Sequence, residues 1–344
     1  MEERCISVAL IGCGRAGMIH AHNFHGRVPN AKITAVADIS EEAARAAAAA
    51  LSISSFYTDY RELLKKEPVD AVIVVSPTHL HHQIVLDCAK AKKHILCEKP
   101  MAMTVSECED MIACCRENGV KLQLGFMRRH DKSFQRAKES LERGDIGELV
   151  QIHSCTRGPS KPRPWMYDLK ASNGILAEVN SHDIDAVRWF AGSEIDKLYA
   201  VGGNYRNPEA AAEYPDYYDS VLMSGTFQNG VQFVIDGAAY VQYGYDAKME
   251  LVGTKGVIHV GRAEADSVTV TNKERGIATP FINSWMTLFE QAYQAEDESF
   301  VNAILYDKEP SVTGLDGLMA VKIVNAGNAS IQTGKIVKMG GIEK

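Results

Sequence analysis

Three side chains suited to proton transfer lie close together in the segment NGILAEVNSHDID, residues 173–185. Glu178, His182 and Asp185 follow one another at spacings of four and three. In one continuous helix, at about 100° per residue, these side chains share one face. Histidine has an unperturbed pKa of about 6.5, so an imidazole beside carboxylates can move a proton near neutral pH. The spacing alone leaves three interpretations open: an acid–base site, a metal site and a solvated helix face.

The residue types of this stripe disfavour a metal site. Zinc sites generally carry more nitrogen or sulfur ligands than one histidine with two carboxylates offers. The sequence therefore favours no metal. A second histidine group, His79, His81 and His82, lies at a strand-to-helix turn. Here we predict loop packing, and a cofactor contact for His81.

A glycine-rich turn near the start of the chain, Gly12-Cys13-Gly14-Arg15-Ala16-Gly17, gives the pattern G-x-G-x-x-G. It follows a strand pattern and opens a helix, as a dinucleotide-binding turn must. Asp38 ends the next strand, and no arginine follows it to attract a 2′-phosphate. The sequence therefore favours NAD over NADP, and it predicts cofactor contacts at Gly12, Gly14, Arg15, Ala16, Gly17 and Asp38.

Two further segments follow predicted strands of the same sheet. Ser76-Pro77, with His81 nearby, comes after the fourth strand, and Glu98-Lys99-Pro100 comes after the fifth. In open α/β sheets, ligands bind beyond the carboxyl ends of the strands. We therefore expect Ser76, Pro77, His81, Glu98 and Lys99 to contact the cofactor, with Lys99 directed toward the nicotinamide.

The first 125 residues alternate short apolar runs with helical patterns. The strand patterns cover 6–12, 32–38, 71–76, 93–99 and 120–126, and the helical patterns include 41–51 and 81–92. Near-continuous apolar strands that alternate with helices predict an α/β fold, here a Rossmann domain with a doubly wound parallel sheet over 1–125. Thr104 and Glu107 predict a capping box for the helix that follows.

The pattern changes after residue 125. Strand-like runs with turn residues between them cover 148–157, 196–204, 220–227, 231–240, 248–253 and 257–260. Asn229-Gly230 is a strong hairpin signal, and helical patterns cover 131–143 and 315–334. We predict a C-terminal α+β domain over 126–344, built on a large open-faced, mostly antiparallel sheet, for substrate binding and oligomerisation.

Bulk properties limit the partners and the compartment. The 344 residues carry a net charge of −7 with a pI near 5.9, which argues against nucleic acid or an anionic membrane surface. The N-terminal segment enters directly into a strand pattern, so we predict no signal peptide. Eight cysteines without a C-x-x-C pair indicate reduced thiols. A cytoplasmic protein is expected.

Taken together, the turn at 12–17, Glu98-Lys99-Pro100 and the Glu178/His182/Asp185 stripe resemble the Gfo/Idh/MocA family of oxidoreductases, and within it the inositol 2-dehydrogenases. Gly125-Phe126-Met127-Arg128-Arg129 and Tyr243-Gly244-Tyr245-Asp246 extend the likeness. The resemblance implies a cis Lys99–Pro100 peptide. It also implies homodimers or homotetramers formed sheet to sheet; a hetero-oligomer stays open.

The resemblance also implies roles for individual residues. Lys99, Glu178 and His182 would be the catalytic set of an NAD-dependent dehydrogenase that acts on CH–OH groups, with His182 taking the proton. Substrate contacts are expected from Lys99, Arg128, Arg157, His182, Asp185 and Tyr243, and from Trp165 in the proline-rich loop SKPRPWMYD. For Trp165 and Tyr167, and for Tyr214, Tyr217 and Tyr218, ordinary packing is an equal alternative.

Two departures from the family pattern bear on the substrate. Glu178 stands where inositol dehydrogenases have aspartate, and Thr156-Arg157-Gly158 stands where they have His-x-Asn. We therefore expect a ring secondary alcohol of a cyclitol, sugar or glycoside, with glycoside C3 oxidation and inositol oxidation in competition. Two other functions stay open: an NAD-dependent glycoside hydrolase or lyase that oxidises transiently and eliminates, and a non-catalytic sugar or NAD sensor.

Overall fold

The computed structural model describes residues 4–261, 264–265, 268–274 and 276–340. The chain divides into two compact units. Unit 1 comprises 1–130 with Glu290–Val321, and unit 2 comprises 131–289 with 322–344. The sequence placed the boundary at 125/126 and assigned everything beyond it to the second domain. Glu290–Val321 packs with unit 1 instead, because Phe300, Val301 and Ile304 belong to the apolar core beneath the first strands.

The sheet of unit 1 is six-stranded and parallel, in the order β3-β2-β1-β4-β5-β6. The order reverses between β1 and β4, as in a doubly wound Rossmann sheet, and ligands bind outside the carboxyl ends of the strands at such a point. Its strands are β1 (Ile6–Ile11), β2 (Ala31–Ala37), β3 (Ser55–Tyr57), β4 (Ala71–Val74), β5 (His94–Glu98) and β6 (Leu122–Gly125).

Six helices lie wholly within unit 1, and a seventh, α12 (Gly314–Thr333), begins there and ends in unit 2. The capping box predicted for α5 is present: Thr104 Oγ1 accepts the Glu107 N–H, and Glu107 accepts the Thr104 N–H. The six are α1 (Arg15–Phe24), α2 (Glu41–Ala50), α3 (Tyr60–Lys66), α4 (Thr78–Lys90), α5 (Val105–Asn118) and α11 (Glu290–Leu305).

The main sheet of unit 2 has seven strands in the order β12-β11-β7-β10-β9-β8-β15. Only the β7–β10 pair among these strands is parallel. The predicted Asn229-Gly230 hairpin joins β9 to β10. The strands are β7 (Leu149–Gly158), β8 (Ile195–Gly203), β9 (Ser220–Phe227), β10 (Gln232–Ala239), β11 (Asp246–Gly253), β12 (Val257–Val260) and β15 (Val337–Lys338); β13 (Val270–Asn272) and β14 (Gly276–Ala278) form a separate ribbon.

The helices of unit 2 are α6 (Lys132–Glu142), α7 (Leu169–Ser172), α8 (Gly174–Glu178), α9 (Ser181–Ala191) and α10 (Trp285–Leu288). Successive residues of a strand point to opposite faces of its sheet. Ile152 and Ser154 are buried on the face that α9 covers, whereas His153 and Val234 are more exposed on the other. The second face is called the open face below.

Two observations concern the whole described chain. All eight cysteines are free thiols, six of them buried. Among the described helices, none combines the length and the apolar character needed to cross a bilayer.

Candidate active site

The glycine turn after β1 is shaped by close backbone approach. A Cβ at Gly12, where φ is +101°, would collide with the Val75 carbonyl, and a Cβ at Gly17 would collide with the Gly12 carbonyl. Both positions therefore require glycine, which explains the first and third glycines of the motif.

The N-terminus of α1 is open where a pyrophosphate would bind. Gly14 is the N-cap of α1, and apart from its chain neighbours and the backbone of α1 no atom of the described residues lies within 4 Å of the position that its Cβ would take. Arg15 is exposed at the start of the helix, with Ala16 next to it. Free N–H groups and the helix dipole favour an anion at such an end. These residues fit the diphosphate of a dinucleotide.

Asp38 lies at the carboxyl end of β2, beside the glycine turn. Its Oδ2 accepts the Cys13 N–H at 2.8 Å, and its Oδ1 accepts the Ser40 N–H at 2.9 Å. These two bonds fix a carboxylate of the kind that binds ribose hydroxyls in NAD-binding domains. Burial, with Asp38 adding to it, raises the pKa of the Cys13 thiol to about 12, so the turn adds no second negative charge.

His81 links the loops that follow β4 and β5. Its two ring nitrogens lie 2.7 Å from the Ser76 carbonyl oxygen and 2.9 Å from the Pro100 carbonyl oxygen. The Lys99–Pro100 peptide is cis, as the resemblance implies. The Ser76 hydroxyl is buried and makes no hydrogen bond to the described residues, and the exposed Pro77 is the N-cap of α4. His81 thus holds together two loops predicted to meet the cofactor.

Glu98 belongs to a buried network that the sequence did not reveal. One of its oxygens lies 3.2 Å from His20 Nε2, and the other accepts the Lys99 backbone N–H at 2.9 Å. His20 Nδ1 in turn lies 2.7 Å from Asp297 Oδ1. Instead of standing free for the cofactor, the Glu98 carboxylate is held between His20 and the Lys99 peptide.

In unit 2, Glu178 and His182 do not share one continuous helix. Helix α8 ends at Glu178, and α9 begins at Ser181. The prediction of a single helix over the stripe is therefore wrong, because Val179 and Asn180 interrupt the helix. His182 and Asp185 do lie on one helix, three residues apart; they are 6% and 1% exposed.

A buried carboxylate fixes the start of α9 against the sheet. Asp183, next to His182, accepts hydrogen bonds from Ser154 Oγ at 2.6 Å, Thr156 Oγ1 at 2.9 Å and Asn180 Nδ2 at 2.8 Å. Gly237 on β10 leaves space for Asn180, whose amide would collide with a Cβ there. Asp183 was missed because its partners come from β7 and from the helix break.

Arg157 and Tyr243 lie on the open face, away from α9. The Arg157 guanidinium pairs with Asp236 and lies 3.4 Å from Tyr243 Oη. Its neighbour Thr156 bonds to Asp183 on the opposite face, because strand side chains alternate. The sheet therefore separates Arg157 from α9. Within unit 2, Arg157 and His182 therefore lie on opposite faces of the sheet, and the substrate contacts expected from Arg157 and Tyr243 stay predictions.

The remaining predicted contacts are mostly buried. Arg128, in a short 3-10 helix over Met127–His130, is 1% exposed. Trp165 is half-buried in a second 3-10 helix, and its neighbour Tyr167 packs edge-on against Tyr217 with ring centroids 4.8 Å apart. Tyr214 joins that cluster, and the Tyr218 hydroxyl donates to Asn328. For these tyrosines the packing alternative describes the structure.

Comparisons with known proteins identify the family to which the chain is similar. Residues 6–126 match the model of an oxidoreductase family with an NAD-binding Rossmann fold, and residues 134–259 match the GFO/IDH/MocA C-terminal domain. The chain is 31% identical to myo-inositol 2-dehydrogenase of Thermotoga maritima, over 96% of this chain and 98% of that one. It is also 31% identical to scyllo-inositol 2-dehydrogenase (NAD+) of Bacillus subtilis, over 98% and 97%.

A solved structure gives the same result. The structure of scyllo-inositol dehydrogenase from Lactobacillus casei, with NAD(H) and scyllo-inositol, is similar with a TM-score of 0.89 at 28% identity, covering 98% of this chain and 99% of that one. The predicted fold class, the predicted oxidoreductase activity and NAD as cofactor are confirmed. The chain belongs to the Gfo/Idh/MocA family of NAD-dependent oxidoreductases.

Proposed function

We propose that this protein oxidises a ring secondary alcohol of a cyclitol, a sugar or a glycoside, using Lys99, Glu178 and His182. The observation that carries the proposal is the anchoring of His182. A buried aspartate next to it, with three hydrogen bonds, fixes the first turn of α9 on the sheet. A general base needs such a fixed position.

The chemistry divides between the cofactor and the side chains. NAD supplies the hydride acceptor. His182 takes the hydroxyl proton as the hydride leaves carbon, and Glu178 stabilises the imidazolium that forms. Lys99 donates a hydrogen bond to the developing alkoxide. The buried Asp185 and Arg128 hold the substrate's other hydroxyls.

Two positions, Thr156 and Gly158, stand where the resemblance implies a histidine and an asparagine in inositol dehydrogenases. The Thr156 hydroxyl donates to Asp183 and is therefore committed inside the protein. At Gly158 a Cβ would meet only the Tyr245 ring, at 3.8 Å. The absence of a side chain at Gly158 leaves space that suits a larger sugar. These features favour a glycoside over a free inositol.

The test is NADH formation with panels of inositols, hexoses and glycosides. Lys99→Ala and His182→Ala should each lower kcat by about 100-fold or more. Matched controls are Lys65→Ala on α3 and His22→Ala on α1, both exposed. Full activity in either catalytic variant would contradict the assigned roles. Release of an aglycone without net NADH would instead favour the hydrolase, and binding without any turnover would favour the sensor.

We also propose that a second copy of the chain covers the open face. Four apolar side chains there are 39% to 52% exposed: Tyr199, Val201, Leu222 and Val234. A contiguous apolar surface of this kind marks an interface. Leu222→Arg should convert a dimer or tetramer to smaller species in sedimentation, whereas a wild-type monomer would contradict the proposal. The reduced cysteines fit a cytoplasmic location, which stays part of the proposal.

A further inference from the structure

Unit 1 contains a buried charge network that the proposed reaction has not used. We propose that an imidazolium at His20, held by Asp297, fixes the Glu98 carboxylate against the Lys99 peptide and thereby positions Lys99. His20 would be a positioning residue, since it acts through Glu98. This inference rests on the proposed function, in which Lys99 meets the substrate.

The geometry around His20 places one carboxylate oxygen at each ring nitrogen. Nδ1 lies 2.7 Å from Asp297 Oδ1, and Nε2 lies 3.2 Å from Glu98 Oε1. A neutral imidazole has a single N–H, whereas an imidazolium donates from both nitrogens. The side chains of His20 and Asp297 are fully buried, and that of Glu98 is 6% exposed. Two buried carboxylates bridged by one ring therefore favour the charged form.

The surroundings support that protonation state. Burial alone lowers the pKa of His20, but the Asp297 and Glu98 carboxylates outweigh it and raise the pKa well above its ordinary value. The Tyr293 ring lies nearly perpendicular to the imidazole, with centroids 5.4 Å apart, and Glu296 adds a third carboxylate nearby. Among the described residues that these observations place at His20, the charged ones are all acidic.

The network connects three elements to the peptide of Lys99. Asp297 on α11 also accepts Asn23 Nδ2 at 2.8 Å, so two residues of α1 bind one carboxylate. On the other side, Glu98 Oε2 accepts the Lys99 N–H. Gly125 on β6 leaves room for Glu98, since a Cβ there would come within 2.9 Å of the carboxyl carbon. The helix of the glycine turn is thus tied to the lysine loop.

A metal ion is the rival occupant of this cluster. His20, Glu98 and Glu296 each offer a ligand atom, and these atoms lie within 4.8 Å of one another. A metal on Nε2 would need the lone pair that the imidazolium lacks. The two occupants are therefore mutually exclusive, and metal analysis of the purified protein distinguishes them.

The experiment compares His20→Gln and Asp297→Asn with a matched control. The control is Asp70→Asn. The Asp70 carboxylate, just before β4, also joins two strands, because it accepts hydrogen bonds from Ser7 N at 2.8 Å and from Ser7 Oγ at 2.7 Å. Misplacing a reacting group by about 1 Å can cost about 100-fold. We expect kcat to fall by about 100-fold in His20→Gln, about 10-fold in Asp297→Asn and less than about twofold in Asp70→Asn, with KM for NAD nearly constant.

Two readouts need no turnover. Nitrogen-15 spectra at pH 8 should show one imidazolium that is missing in His20→Gln, and this measurement on the wild type does not depend on the variants folding. The rate at which acetic anhydride labels Lys99, read by mass spectrometry, should change by about threefold or more in His20→Gln but not in Asp70→Asn. If the wild type turned over no substrate, the proposed function would fail while these two readouts still tested the network.

Three results would overturn the inference. One is a neutral His20 at pH 8. Another is a His20→Gln variant whose kcat and rate of Lys99 labelling equal those of the wild type, or an Asp70→Asn variant whose kcat falls as far as that of His20→Gln. The third is one equivalent of tightly bound metal per chain that His20→Gln releases.

Discussion

Each unit buries a carboxylate next to a residue assigned to catalysis, but the two carboxylates are stabilised differently. Glu98, before Lys99, is bound by the ring of His20, which can change its charge. Asp183, after His182, is bound by two hydroxyls and an amide, which cannot. A buried charge needs a counter-charge or several hydrogen bonds. Unit 1 supplies a counter-charge to Glu98, and unit 2 supplies hydrogen bonds to Asp183. Only the first should respond to pH.

The largest effect should follow from removing the Asp183 carboxylate. Asp183→Ala leaves three buried donors without their acceptor, and each such donor costs about 1–3 kcal/mol. We expect the free energy of unfolding to drop by at least about 3 kcal/mol in urea titrations. Asp196→Ala, an exposed carboxylate of the same unit, should change it by less than about 0.5 kcal/mol. A loss below about 1 kcal/mol for Asp183→Ala would refute the anchoring role.

The next effect is a pH dependence that only unit 1 should show. The pKa of His20 is raised in the folded protein, so its contribution to stability is complete below about pH 6.5 and is lost as pH rises through the folded pKa. The difference in unfolding free energy between wild type and His20→Gln should therefore shrink from about pH 6.5 upward.

Other histidines do not interfere with that difference. Burial lowers the pKa of His130 to about 4. The contribution of His130 to stability is therefore lost as pH falls, and this loss is the same in the wild type and in His20→Gln. The comparison consists of urea unfolding curves at several values between about pH 6 and 9.5. A difference that grows with pH would contradict a buried imidazolium.

The smallest effect should come from one donor to Asp183. Thr156→Val removes a hydroxyl while Ser154 and Asn180 keep their bonds to the carboxylate. We expect a loss of about 1 kcal/mol. Thr226→Val, on the open face, is the matched control and should be near neutral. A loss equal to that of Asp183→Ala would mean that Thr156 acts through something other than this bond.

Sequence patterns predicted the features that arise locally. The parallel strands, the glycine turn with Asp38 and the capping box at Thr104 all depend on residues that are close in sequence or on the periodicity of one element. The strand patterns differ from the observed bounds by one or two residues in nearly every case. These parts of the site could therefore be predicted from the chain alone.

The features that the sequence missed depend on distant residues or on one local break. His20 and Asp297 are separated by 277 positions, and no spacing rule connects them. The return of Glu290–Val321 to unit 1 has the same origin. The break at Asn180 follows from its bond to Asp183 and from the space at Gly237, which comes from another strand. A motif also does not state which face of a sheet a side chain takes, so the open-face position of Arg157 could not be predicted.

One measurement tests the proposed activity most directly: the transfer of deuterium from a substrate labelled at the ring carbinol carbon. The substrate is taken from the compounds that support NADH formation, and the cofactor is analysed by mass spectrometry. We expect deuterium in the reduced nicotinamide with wild-type protein, with the rate falling about 100-fold in His182→Ala but unchanged in His22→Ala. Reduced cofactor without deuterium, or an undiminished rate in His182→Ala, would contradict it.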